Sequence, residues 1–161
     1  MKDKIFTIDF AKKEDYEIIY SFICKLAEYE KMTDDIKMTP EMLKENIFEK
    51  KECEVLIAKE NDIPIGFALF FHNFSTFMGK RGLYLEDLFI LPEYRHKGYG
   101  KKIFKKLAQI AKERDCGRME WSCLNWNEPS IRFYNSMGAF PLDEWTVRRL
   151  DENGIEALCE K

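Results

Sequence analysis

The sequence predicts a mixed α/β (α+β) domain, and three observations carry the prediction. Short apolar runs recur between longer stretches of helical period, turn residues separate them, and no repeat, low-complexity segment or linker interrupts the order. Residues 5–10 read as a short strand, and residues 14–29 as a helix with Ile18, Ile19, Phe22, Ile23 and Leu26 on one stripe. Thr39 and Pro40 read as an N-cap and first helical residue, opening a second helix through Met42, Leu43, Ile47 and Phe48. Residues 55–58 and 65–71 read as strands joined by a turn around Asn61, Asp62 and Pro64, an antiparallel hairpin, and residues 83–91 as the next strand. A helix over about 98–115 turns Ile103, Phe104, Leu107, Ile110 and Ala111 inward and closes at Gly117. Residues 119–124 form another strand, 128–137 a helix ending at Gly138, and 145–150 a last strand.

At 161 residues the chain fits a single domain over 1–161, and a domain of that size buries about 68–70% of its unfolded surface. The formal net charge of −3, with both signs well mixed, provides no basic field for nucleic acid. No segment approaches the roughly 20 apolar residues of a membrane span, so no membrane partner is expected. The opening M-K-D-K-I-F-T-I-D-F is acidic and alternating where a signal peptide needs a continuous apolar run, which points to the cytoplasm. The five cysteines form no C-x-x-C pair and mostly lie in apolar runs, so reduced, buried thiols are expected. His72 and His96 lie far from any paired cysteines, and no metal site is expected.

Residues 84–100, Y-L-E-D-L-F-I-L-P-E-Y-R-H-K-G-Y-G, carry the chemistry. Glu86 and Asp87 interrupt an apolar strand, Pro92 ends it, and Arg95, Gly98 and Gly100 open an amphipathic helix. Glycines there let the backbone approach a ligand closely, while the first free N–H groups of the helix favour phosphate oxygens. A nucleotide P-loop does not fit, because its first glycine position holds Arg95 and its Ser/Thr position holds Lys102. A dinucleotide fingerprint fails at Ile103, where a third glycine belongs.

The R-x-x-G-x-G loop after an E-D strand, with W-N-E-P-S-I-R-F-Y from Trp126 to Tyr134 downstream, resembles the GNAT superfamily of acetyl-CoA-dependent N-acetyltransferases. Y-E-K-M at Tyr29, G-F-A-L-F-F at Gly66 and Y-L-E-D-L-F at Tyr84 extend the resemblance to the diamine (spermidine/spermine) and thialysine acetyltransferases. The resemblance implies a mixed, mostly antiparallel twisted sheet of about six or seven strands flanked by about four helices. It also implies acetyl-CoA as co-substrate, with its pyrophosphate on Arg95, His96, Lys97, Gly98, Tyr99, Gly100 and Lys101. By the same resemblance the strand splays or bulges at this point so that Leu88, Phe89 and Ile90 offer backbone N–H groups to the thioester, Asn127 and Ser130 contact the coenzyme's amides, and a homodimer is implied.

Given an amine and a thioester, chemistry alone dictates the proton transfers required. A primary amine with a pKa near 10.4, like lysine's, is protonated at neutral pH and needs a base before it can attack a thioester. Glu86 is the candidate base, directly or through water, and the resemblance gives the matching glutamate that task. Adjacent strand residues point to opposite faces unless the strand bulges, so only one of Glu86 and Asp87 is expected to reach the amine. The departing coenzyme A thiolate needs an acid, which the resemblance assigns to Tyr134. By the resemblance Tyr29 and Glu30 match positions that contact the polyamine, and Asp87 is a structural or substrate-side residue; a carboxylate away from the reacting amine suits a second cationic group. The chain departs from the pattern of the family it resembles at Phe77, which stands at a usual tryptophan position, and in a shorter loop between Ala139 and Trp145, which leaves the small amine undefined. Lys80 and Arg81 are candidate cations for an amino-acid carboxylate. A protein N-terminus or lysine as substrate, or a non-catalytic coenzyme A-binding module, are the competing readings.

Overall fold

The computed structural model describes residues 4–160; residues 1–3 and 161, the ends of the single-domain reading, lie outside the described residues. The chain divides into two compact units, the first ending at Ser122 and the second beginning at Cys123.

The first unit is a five-stranded sheet in the order β1 (Phe6–Phe10), β2 (Glu54–Glu60), β3 (Ile63–Ser75), β4 (Lys80–Ile90) and β5 (Arg118–Trp121). The first four strands run antiparallel to their neighbours, and β5 joins β4 in parallel. Between β1 and β2 lie helix α1 (Tyr16–Glu30) and the short α2 (Pro40–Lys44), which widens into a π turn over Glu45–Glu49. The expected cap is present: the Thr39 hydroxyl accepts a hydrogen bond from the Met42 N–H at 3.2 Å, with Pro40 in the first turn. A two-residue turn joins β2 and β3, with Asn61 at φ 50° and Asp62 at φ 65°, the left-handed pair that matches hairpin twist. Pro64, expected in that turn, is instead the second residue of β3.

Helix α3 (Tyr99–Glu113) crosses from β4 to β5, making the βαβ unit that parallel pairing requires. It is one residue shorter at its start and two at its end than the periodicity implies. Its closing left-handed residue is Asp115, at φ 53°, rather than Gly117, whose N–H instead donates to the Arg81 carbonyl at 2.9 Å.

Two apolar layers flank the sheet. On one side Ile19, Phe22 and Leu26 of α1 pack on Val55, Ile57, Phe67, Leu69 and Phe89. The Phe22 ring stacks on Phe67 at 5.8 Å, and Phe22→Ala would cost about 3–5 kcal/mol by the usual toll of a large core cavity. On the other side α3 buries Ile103, Phe104, Leu107, Ile110 and Ala111, the five positions its period predicts, together with Tyr99. Arg114 ties this face down, with its guanidinium 5.7 Å from the Phe70 ring centroid and bonded to Glu54.

The second unit holds α4 (Glu128–Ser136), followed by Gly138 at φ 85°, and α5 (Glu152–Cys159). Residues 145–150 form no strand: Trp145, Val147 and Leu150 have strand-like composition, but the segment has no ladder partner among the described residues. The described sheet therefore has five strands rather than six or seven, and α5 is an additional helix. Its N-terminus is capped by Asp151, whose carboxylate accepts from the Gly154 N–H at 2.8 Å. The cysteines are all free, four of them half-buried and Cys159 exposed, so burial is less complete than expected. No described helix is long and apolar enough to cross a membrane.

Candidate active site

Strand β4 changes character at Glu86. Phe70 of β3 pairs with Leu85, yet Leu69 pairs with Asp87, so Glu86 is an extra residue opposite no partner, a β-bulge. Leu85 therefore shares the α3 face with Phe70, whereas Asp87 shares the α1 face with Leu69. Without the bulge, Asp87 and Phe89 would continue the row of Leu83 and Leu85 on the α3 side. The bulge leaves Glu86 exposed and Asp87 half-buried.

The same residue marks the end of β4–β5 pairing, whose last partners are Leu85 and Trp121. From Glu86 to Ile90 the strand is laddered to β3 alone, so the alternate N–H groups of this stretch that point away from β3 carry no β5 partner. That stretch includes Leu88, Phe89 and Ile90.

Asp87 lies in an acidic surrounding. Burial, and then the charges of Glu86 and Glu30, push its carboxyl up from 3.8 to about 7. Burial also raises Glu30, the last residue of α1. Beside them the Cys53 thiol is pushed up to about 11, first by burial and then by Asp87, which keeps it a thiol. Tyr29 joins this group through Arg95, whose guanidinium lies 5.0 Å from the Tyr29 ring centroid and 5.4 Å from that of Phe89. The Arg95 Nε donates to the Ile90 carbonyl at 2.8 Å, so this arginine fastens the loop to the end of β4. Lys80 and Arg81, candidates for holding an amino-acid carboxylate, stand about 20 and 17 Å along β4 from Glu86 at the usual strand rise. Lys80 is paired with Asp115 at 2.6 Å.

Beyond β4 the chain turns through Arg95, His96 and Lys97 into α3. His96 is left-handed at φ 60° and Gly98 at φ 78°, and a Cβ on Gly98 would meet open space. Gly98 is the N-cap and supplies no side-chain cap, so the first-turn N–H groups, including those of Gly100 and Lys101, face the loop opening as a phosphate group would need. A pyrophosphate fits this turn in form and charge.

In the second unit, Asn127 precedes α4 and is buried, its carbonyl accepting from the Ile131 N–H at 3.0 Å. Ser130 is half-buried in the first turn, and half-buried Tyr134 lies one turn further, with its ring 5.6 Å from that of Phe133. Sequence reasoning missed Glu60, a buried carboxylate under the first turn of α3, because a lone acid at a strand end gives no periodic signal.

A bulged strand freed from its parallel neighbour, followed at its C-terminal end by a glycine turn and a bare helix N-terminus, is an α/β arrangement with the form of a phosphate seat. The chain belongs to the acetyltransferase (GNAT) family, whose model matches residues 10–139 and so spans the boundary between the two units. It is 34% identical over 163 residues to the thialysine N-epsilon-acetyltransferase of Bos taurus, covering 94% of this chain and 95% of that one. Among solved structures, an integron cassette protein from V. cholerae superposes with a TM-score of 0.80 at 28% identity, over 97% of this chain and 98% of that one. An aminoglycoside N-acetyltransferase in complex with CoA shares the fold, with a TM-score of 0.75 at 16% identity over 94% and 97% of the two chains. The protein is thus an acetyltransferase, and its relatives support an amine as acceptor.

Proposed function

We propose that the protein transfers the acetyl group of acetyl-CoA to a primary amine of a small diamine, polyamine or thialysine-like molecule, by direct attack in a ternary complex. The carrying observation is the bulge, which sets an exposed carboxylate beside a half-buried acidic group on the strand that leads into the Gly98 turn. Bound acetyl-CoA supplies the thioester. Glu86, directly or through water, takes the proton of the attacking ammonium. The β4 N–H groups beyond Leu85 hydrogen-bond to the thioester oxygen as charge gathers there. As the C–S bond breaks, Tyr134 gives its proton to the departing sulfur. Asn127 and Ser130 hold the coenzyme's amides, while Tyr29, Glu30 and Asp87 receive the cationic part of the amine. A cytoplasmic homodimer completes the reading, with light scattering on the purified protein as the check on assembly.

The acidic wall supports a substrate with more than one positive charge, and the similarity to thialysine acetyltransferases supports an amino-acid-like amine. The deciding experiment is a thiol-release assay with acetyl-CoA across putrescine, spermidine, thialysine, lysine and a lysine peptide. Turnover of the small amines well above the peptide is expected. Turnover of the peptide alone would replace the reading with a protein acetyltransferase, and no turnover together with intact coenzyme binding would leave a binding module.

A second reading has its own observation. Asp87, at about 7, is matched to general-base work at neutral pH. If Asp87 rather than Glu86 takes the proton, Asp87→Asn abolishes the rise of kcat through pH 7 and Glu86→Gln keeps it.

A further inference from the structure

Glu60, the last residue of β2, lies beneath the first turn of α3 with only 6% of its surface exposed. Its Oε2 accepts a hydrogen bond from the Tyr99 hydroxyl and lies 3.7 Å from the Lys97 Nζ, while its Oε1 lies 3.5 Å from the Lys4 Nζ. Tyr99 is the residue between the two glycines of the loop, and Lys97 immediately precedes the first. The Tyr99 ring stacks on Phe6 at 4.2 Å and 7°, and Phe6 is the register partner of Glu60 across β1 and β2. Lys102 covers the stack, its Nζ 5.1 Å from the Phe6 centroid and 5.5 Å from that of Tyr99.

One carboxylate thus grips the loop on both sides of Gly98. The tyrosine hydroxyl, and then the two lysines, hold Glu60 below the usual carboxylate range, so it keeps its charge, while Tyr99 is pushed up to about 12 and stays a donor. A glycine turn left to itself samples many conformations and must lose that freedom when it closes on a phosphate. A turn fixed beforehand by a buried anchor avoids that loss.

We propose that Glu60 is a positioning residue for the anion loop, its carboxylate holding Tyr99 and Lys97 so that the Gly98 turn and the bare N–H groups of α3 are set to receive the coenzyme pyrophosphate. The proposal rests on the acetyl-CoA reading above, and its test separates the two. Glu60→Ala, Glu60→Gln and Tyr99→Phe are assayed with acetyl-CoA and with S-acetylpantetheine, which has the thioester and pantetheine arm without the pyrophosphate.

Glu60→Ala is expected to raise KM for acetyl-CoA about tenfold, as loss of charge-assisted hydrogen bonds does, with kcat and amine KM held within about twofold. Its kcat/KM with S-acetylpantetheine stays at the wild-type value. Glu60→Gln, which keeps an acceptor for Tyr99 and releases Lys97, falls between. The double variant Glu60→Ala, Tyr99→Phe loses no more than the larger single, because the two act through one contact. Unchanged KM for acetyl-CoA in folded Glu60→Ala, or equal loss with both donors, overturns the proposal. Should Glu60→Ala not fold, Tyr99→Phe removes one oxygen, leaves the ring stack, and faces the same comparison of donors. A wild-type protein that binds no CoA in calorimetry would instead overturn the acetyl-CoA reading itself.

Discussion

Glu60 and Asp87 are both carboxylates withdrawn from water in the first unit, and their surroundings drive them in opposite directions. Glu60 receives a hydroxyl and two ammonium groups and is held below the usual carboxylate range. Asp87 has no cation among the groups that shift it, only burial and two further acids, and rises to about 7. Burial alone therefore does not decide what a carboxylate can do. Donors make one a fixed strut under a loop, whereas like charge leaves the other ready to exchange a proton or bind a cation.

The largest expected effects test the reactive side of this contrast. Glu86→Gln should lower kcat by about 10²-fold near neutral pH, within the usual range for a general base, and recover partly above pH 8 as the amine deprotonates itself. A pH–rate profile parallel to wild type would remove Glu86 from the base role. Tyr134→Phe should lower kcat by about 10²-fold with the Kd for CoA unchanged in calorimetry. Wild-type turnover in that variant would take the tyrosine out of the mechanism.

Stability should show the contrast directly. Folding raises the Asp87 value, so the folded state binds the proton more tightly, and the associated stability is complete below about pH 4 and lost as pH rises through about 7. Asp87→Asn removes that loss: Tm should rise by roughly 2–6 °C at pH 8, and the gain should vanish near pH 4. Glu60 has the opposite sign. Its value is lowered on folding, so it stabilises above the ordinary glutamate value and the contribution disappears as pH falls through its lower folded value. Glu60→Gln should therefore lower Tm slightly at pH 7, with the deficit closing in acid. Parallel Tm–pH curves for the two variants would break the comparison.

Much of this was legible from residue order. Period 3.6 found α3 and its inward residues because Ile103, Phe104, Leu107 and Ile110 leave no other packing face. The Thr39–Pro40 start was legible because capping is local chemistry. The glycine spacing of the loop suggested the form of an anion seat, and the family resemblance, not spacing, supplied the coenzyme. Alternation anticipated the bulge only as a condition, since L-E-D-L-F-I-L alternates cleanly on neither assumption and the choice is made by β3 across the ladder; the family resemblance implied a splay or bulge outright. Residues 145–150 misled because β propensity describes how a residue fits a sheet and says nothing of whether a partner strand is present. Helix α5 was missed although Asp151, Ile155 and Leu158 offered a cap and an i, i+3 pair, because Gly154 in its first turn argues against a helix. Acetylation as the chemistry followed from the family resemblance. The opposed states of Glu60 and Asp87 depend on neighbours far away in sequence.

The bulge at Glu86 makes that residue supernumerary to the sheet. Leu85 and Asp87 already occupy consecutive ladder positions against Phe70 and Leu69, so the strand's phase is complete without the residue between them. A chain lacking Glu86 would keep every face assignment of β4, and one lacking Asp87 would seat Glu86 in the ladder position facing α1. The proposed base is thus carried on the one residue of the strand that pairing does not use, where its side chain is released from the two-residue rhythm that binds its neighbours.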